Sequence, residues 1–144
     1  MGRQSEANAK HLKNPLLVDT SIWIDFFNNR KTKKVELLEE YIFNDSVVLL
    51  TPTIIQEILQ GIRIDADYKK IKEIILRFHT LELNALEVAI GAADLYRSIR
   101  KKGVTIRKSN DCVIAFYAIY FKVSLLENDT DFKQISKYSE LQLV

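Results

Sequence analysis

Leu16-Leu17-Val18-Asp19-Thr20-Ser21-Ile22-Trp23 is the stretch on which the reading of this chain turns. Its apolar opening reads as a short buried strand, and the strand runs straight into a carboxylate. In an open α/β sheet, functional groups gather where parallel strands end at their carboxyl edge, so Asp19 stands where chemistry is expected. The plainer alternative is that Asp19 caps the helix that follows, a position Asp, Ser and Thr all favour. The residues on either side of the stretch decide between the two.

Upstream, residues 1–14 are polar and lack the apolar core of a signal peptide, so they read as an N-terminal tail with no assigned function. Residues 15–144 then form a single domain, long enough to bury a core without disulfides or structural metal. A composition of 47% hydrophobic and 28% charged residues is that of a globular protein. The lone Cys112 excludes an intramolecular disulfide and fits a reducing compartment, which points to a cytoplasmic location. No apolar run approaches the ~20 residues needed to span a bilayer, so no membrane association is expected. Two widely separated histidines and one cysteine give no basis for a His/Cys zinc site. The net charge of +2 acquires meaning only if the acids are clustered, leaving basic groups over the remaining surface.

Downstream, Ile22, Trp23, Phe26 and Phe27 recur at helical spacing, predicting a short amphipathic helix over 21–28. Trp23, among apolar neighbours, reads as core packing rather than a stacking platform for bases. A second helix is expected over 33–43 and a second strand over 46–50. That strand runs into Thr51-Pro52, a cap followed by proline at the first helical position, with Thr53 and Gln56 as a competing capping box. The helix so opened has an apolar face of Ile54, Ile55, Ile58, Leu59 and Ile62. Glu57 lies off that face and near the sheet edge, and Gly61 marks either a close approach or the helix end. A Lys-rich helix over 67–76 and a weak strand within 78–83 follow. Asn84 with Glu87 opens a longer helix that stops at Gly103, with a short extended piece at 104–106. Ser109 reads as the cap of a helix apolar on nearly all sides from Cys112 to Phe121, hence covered on all sides. Asp111 falls in its first turn, where the positive helix end favours an anion. A strand over 123–126, the acidic turn 127–132, a short helix through Ile135 and a last strand over 141–144 close the chain.

Strands alternating with helices imply an α/β fold with a parallel sheet covered by helices on both faces. Asp19 then ends the first strand, Asp129 and Asp131 follow the fourth, Glu57 lies just beyond the second, and Asp111 starts a helix near the same edge. Carboxylates from distant parts of the chain converge on one rim. So close together they repel and shift toward protonation unless a cation intervenes. Mg²⁺ or Mn²⁺ prefers such oxygen ligands and binds substrate phosphate as well. Such an ion can acidify and position a water and stabilise a phosphodiester under in-line attack, with no Ser, Cys or His nucleophile required.

Four motifs together resemble the PIN-domain family: Val18-Asp19-Thr20-Ser21, the helix of Glu57 after a strand, Asn110-Asp111-Cys112-Val113-Ile114-Ala115, and Asn128-Asp129-Thr130-Asp131-Phe132. Each motif is weak alone, whereas the four in this order cover nearly the whole chain from Leu16. The resemblance implies a three-layer α/β/α fold with a central parallel sheet in the order 3-2-1-4-5. It also implies a metal-dependent ribonuclease, an endoribonuclease acting on RNA. The family's compact bacterial members include the VapC toxins of type II toxin–antitoxin pairs, which this chain's size and opening motif are similar to. By the same resemblance Asp19, Glu57 and Asp111 match the metal-site acids. Asp129 and Asp131 are both candidates for the fourth, with Asp129 favoured for metal proximity. Ser21 matches a small hydroxyl residue that orders the site, with helix capping as its alternative, and Asn110 and Asn128 would bond to the carboxylates or bound waters. Implied partners are an RNA substrate, a VapB-like cognate antitoxin and a second copy of the chain in a homodimer.

RNA phosphates should be held by basic residues beside the acids, for which Arg107 and Lys108, just ahead of Asp111, are the leading candidates. Arg30, Lys31, Lys33 and Lys34, and again Arg100, Lys101 and Lys102, read first as solvated helix faces. Cys112 and His79 read as packing residues, and Asp65 and Asp67 as loop acids. Two other readings compete. A receiver-type phosphoacceptor domain shares the α/β plan but needs paired acids at the first strand end, where Asp19 stands alone. A non-cleaving PIN-like domain would bind RNA or protein without the full acid set.

Overall fold

The computed structural model describes residues 14–144. The tail expected over 1–14 therefore lies, apart from Asn14, outside the described residues. Four short strands, β1 (Leu16–Val18), β2 (Val48–Leu50), β3 (His79–Thr80) and β4 (Ser124–Leu126), form a parallel sheet in the order β3-β2-β1-β4. Leu16 of β1 lies opposite Val48 on one side and Ser124 on the other. Every residue of β1 and β2 is buried, as unbroken runs of Leu and Val require in a sheet covered on both faces.

The expected fifth position beside β4 is filled by a single parallel bridge, Leu125 to Leu143, rather than a strand. Leu125 N–H donates to Gln142 O at 2.9 Å and Val144 N–H to Leu125 O at 3.1 Å. Pairing stops there because serines take the backbone of Leu141. Its carbonyl accepts from Ser136 Oγ at 2.8 Å and its N–H donates to Ser139 Oγ at 3.2 Å.

Seven helices flank the sheet among the described residues: α1 (Thr20–Phe27), α2 (Lys33–Phe43), α3 (Pro52–Gln60), α4 (Asp65–Ile75), α5 (Ala85–Arg100), α6 (Ser109–Phe121) and α7 (Thr130–Lys137). At α3 the choice of caps is resolved: Thr51 Oγ1 accepts from Ile54 N–H at 3.2 Å with Pro52 in the first helical position. Gly61 marks the helix end, since a Cβ there would meet nothing closer than 3.6 Å. Asn84 caps α5 as expected, accepting from Leu86 and Glu87 N–H. Ser109 is not a cap. It is the first residue of α6, behind Lys108, and the N–H groups of Arg107 and Lys108 are instead taken by Asp131 from α7. The extended piece expected at 104–106 is irregular, held by the buried side chain of Ile106.

Trp23 is fully buried beside Phe27 and Phe78, and its Nε1 donates to Val18 O at 3.1 Å, so the core reading holds and β1 is pinned to α1. Around α6 pack α5, α7, α3 and β4. Gly91 lets α5 come this close, since a Cβ there would lie 2.2 Å from the Phe116 ring. The expectation that α6 is covered on all sides fails at its far end, where Tyr120 and Phe121 are exposed once those neighbours have taken their faces. No described helix is long and apolar enough to cross a membrane.

Candidate metal centre

The centre is built from two halves. In the first, β1 delivers Asp19 to the sheet edge, where its N–H donates to Leu126 O at the end of β4 at 2.9 Å. Asp19 Oδ2 accepts from Ser21 N–H at 3.2 Å and from Ser21 Oγ at 2.7 Å. Asp19 is thus the cap of α1, and Ser21, expected as an alternative cap, is instead a donor to that carboxylate from inside the helix. Asp19 is 5% exposed, and burial pushes its carboxyl up from the ordinary value. The Ser21 hydrogen bonds pull it back and the nearby Glu57 carboxylate pushes it further up. Glu57, half-buried on α3, accepts from Thr20 Oγ1 at 2.9 Å, so consecutive hydroxyl residues of α1 hold one acid each.

The second half holds Asp111, Asp129 and Asp131, each offering an oxygen within 4.8 Å of the others. Asp111 sits in the first turn of α6, 5% exposed, and its buried Oδ2 has no hydrogen-bond partner. Burial above all, then the Asp19 and Asp129 carboxylates, push its pKa up to about 7, against the pull of Lys108. Asp129 caps α7 with Oδ1, accepting from Asp131 N–H at 3.0 Å, and takes Lys108 Nζ on Oδ2 at 3.0 Å. Burial raises its carboxyl, but the Asp131 N–H and Lys108 together outweigh it, so the group stays below the usual carboxylate range. Asp131 is buried, accepts from Arg107 and Lys108 N–H at 3.2 and 3.4 Å, and has Arg107 Nε at 3.6 Å.

The expected acids are thus all on one rim, though as a tight trio plus a neighbouring pair rather than one cluster. Asp129 and Asp131 both belong to the trio. Arg107 and Lys108 are at the rim, exposed, yet already ion-paired to Asp131 and Asp129. Asn110 and Asn128 are exposed and form no hydrogen bond to the acids among the described residues. Asp65 and Asp67 lie exposed in the first turn of α4. Sequence reasoning missed Thr20, whose place inside the opening motif could have signalled it. It also missed Glu127, buried directly after β4, and Lys34, which reaches it from α2. Lys34 reads as a solvated lysine because its partner is 93 residues away.

The donor set fits a hard divalent cation. Buried carboxylates are costly unless paired, and Asp111, a member of the trio, has its buried Oδ2 bonded to nothing. All candidate ligands are carboxylate oxygens, the preference of Mg²⁺ and Mn²⁺. The neighbouring Cys112 is buried, its thiol pushed up to about 11 by burial, and it is not among the side chains that gather there.

Residues 16–138 match the family profile described as PIN domain. Ribonuclease VapC11 of Mycobacterium tuberculosis is 28% identical over 130 residues, covering 88% of this chain and 96% of that protein. Two solved structures share the fold, both with a TM-score of 0.72. VapBC2 from Rickettsia felis, bound to a DNA fragment from its promoter, is 19% identical and covers 90% of this chain and 97% of its own. DNA-bound VapBC from Salmonella typhimurium is 16% identical and covers 91% and 97%.

Proposed function

The chain belongs to the PIN-domain family, and from that premise we propose that it is a Mg²⁺- or Mn²⁺-dependent endoribonuclease, the toxin of a type II toxin–antitoxin pair. Family membership leaves the receiver-type reading without support. The observation that carries the proposal is the acid trio with the bare, buried oxygen of Asp111. Distant likeness to a ribonuclease named VapC11, and fold likeness to VapBC structures, supports the same reading.

Asp111, Asp129 and Asp131 would hold the cation, with Asp19 and Glu57 completing the site from the β1 side. A bound Mg²⁺ or Mn²⁺ would supply charge neutralisation at the scissile phosphodiester and acidity to an attacking water. The chain's own residues do the rest. Ser21 and Thr20 orient Asp19 and Glu57 so that they need not reorganise when substrate arrives. Arg107 and Lys108, whose heads are largely exposed, are placed to turn from the acids to an RNA phosphate. Partners in this reading are RNA, a VapB-like antitoxin that silences the cleft, and a second copy of the chain.

The test compares the unaltered chain with Asp19→Asn on a pool of structured RNAs, with Mg²⁺, Mn²⁺ or EDTA. Cleavage that requires metal and is lost in the variant is the expected result. A folded, metal-loaded protein that cuts nothing in the pool would shift the reading to RNA or partner binding without cleavage.

A further inference from the structure

Glu127 is a buried carboxylate that the proposed chemistry does not use. It follows β4 directly and is 4% exposed. Its Oε2 accepts the N–H of Asp129 at 2.7 Å. Its Oε1 lies 4.0 Å from Lys34 Nζ, and the same ammonium donates to the Glu127 main-chain carbonyl. Lys34, half-buried in the first turn of α2, thus grips both the side chain and the backbone of Glu127.

The hydrogen bonds continue beyond that pair. Asp129 Oδ1 takes the Asp131 N–H, and Asp131 Oδ2 takes the N–H groups of Arg107 and Lys108 at the start of α6. A continuous chain of contacts therefore runs from Lys34 in α2 through Glu127, Asp129 and Asp131, along the turn from β4 into α7, to the residues just ahead of α6. That turn carries two carboxylates close to a third, and mutual repulsion would splay it. A carboxylate is rarely buried without pairing because its desolvation is costly, and here each of its oxygens faces a group that holds the turn.

We propose that Lys34 and Glu127 form a latch that sets the positions of Asp129 and Asp131, acting as positioning residues for the cation site. The inference rests on the metal-centre reading above for its consequence, and on the hydrogen bonds themselves for the latch. Ligands held in place before the cation arrives bind it more tightly than ligands that must be gathered against repulsion.

The test uses the full chain without RNA. Mn²⁺ affinity is measured by titration, and amide exchange at Asp129, Asp131 and Leu17 by NMR, for the unaltered chain, Glu127→Ala, Glu127→Gln and Lys34→Met. Glu127→Ala is expected to weaken Mn²⁺ about tenfold, as loss of an outer hydrogen-bond partner does. It should also speed exchange at Asp129 while leaving Leu17 in β1 unchanged. Glu127→Gln keeps an acceptor for the Asp129 N–H and should recover most of both effects, with Lys34→Met between the two. A folded Glu127→Ala that binds Mn²⁺ normally overturns the proposal, as does Glu127→Gln being as impaired as Glu127→Ala. If Glu127→Ala does not fold, unaltered exchange and affinity in Lys34→Met overturn it. Failure of the unaltered chain to bind Mn²⁺ would remove the metal-centre reading instead. The latch would then stand or fall on Asp129 exchange alone.

Discussion

The β1 half of the rim holds its acids with neutral donors alone, whereas the α6–α7 half adds cations to backbone N–H groups at two acids and leaves one oxygen of the third bare. Asp19 and Glu57 receive Ser21 and Thr20, both carried by α1 and fixed by the same turn. Asp129 and Asp131 lean on Lys108 and Arg107, and Asp111 Oδ2 has no partner at all. Hydroxyl donors leave the negative charge in place and merely orient it. Three carboxylates sharing a space within 4.8 Å leave charge unbalanced, and that imbalance is where a cation gains most. The first half is balanced as it stands, and the second would be balanced by a cation.

The sharpest way to break this contrast is Asp111→Asn. In the acid half it removes the ligand with the bare oxygen, and cleavage should fall by about a hundredfold or more. Metal-free stability should move the other way. A carboxyl raised from 3.8 to about 7 in the folded state binds its proton more tightly there than in the unfolded chain. Its stabilising contribution is then present below the unfolded value and is lost as pH rises through the folded one. Between about pH 4 and pH 7 the unaltered chain should lose up to about 4 kcal/mol on this account, and Asp111→Asn should not. Urea unfolding in EDTA across that range checks it. The two curves should converge in acid and separate toward neutrality.

Metal addition is the next largest effect. Mn²⁺ at about a hundred times its dissociation constant should stabilise the unaltered chain near neutral pH by about 2.7 kcal/mol. The gain should vanish in Asp111→Asn and shrink only in part in Glu57→Gln, because Glu57 lies outside the tight trio. Equal losses in the two variants, read by thermal unfolding with and without Mn²⁺, would erase the distinction between the halves.

Smaller again are Ser21→Ala and Thr20→Val, which each remove one hydroxyl donor while keeping the acid. About 1 kcal/mol of stability and about tenfold in cleavage are expected from each. Since Ser21 N–H still reaches Asp19 in Ser21→Ala, while Glu57 loses its Thr20 bond outright, Thr20→Val should show the larger displacement of its acid.

The two halves also differ in how much of them was legible. Most of the β1 half is local: strand, Asp19, Ser21 and helix α1 follow one another in sequence and are read together, whereas the Thr20 bond to Glu57 spans 37 residues and is not. Caps at Thr51 and Asn84 were readable for the same reason, since donor and acceptor lie within three residues. The α6–α7 half is held by contacts that no local pattern encodes. Ser109 looks like a cap, but α6 has no side-chain cap, and the backbone just ahead of it is held by Asp131, 23 residues away from Lys108. Lys34 looks solvated because Glu127 is so distant in the chain. The fifth strand falls short for a different, local reason: serines five and two residues ahead of Leu141 occupy its backbone, and an apolar run does not show that.

Lys108 offers the smallest effect and the finest discrimination between the halves. Its ammonium sits on Asp129 at 3.0 Å, and its pKa is raised by that hydrogen bond, then by the Asp129 charge, with Asp111 and Asp19 adding to it. The side chain is largely exposed, so its pairing should be worth less than about 1 kcal/mol, and Lys108→Met should barely change the unfolding midpoint. Its consequences should instead appear in binding, with opposite signs. Without the lysine, Asp129 no longer has to exchange one cation for another, so Mn²⁺ should bind a few-fold more tightly at low ionic strength. RNA loses one phosphate contact, so its affinity should drop and its log–log salt slope should shallow by about 0.7. Mn²⁺ and RNA titrations on the same variant separate the two roles. Weaker Mn²⁺ binding would mean that Lys108 holds Asp129 in place for the metal, as Ser21 holds Asp19, and the cationic half would then work by the same orientation as the hydroxyl half.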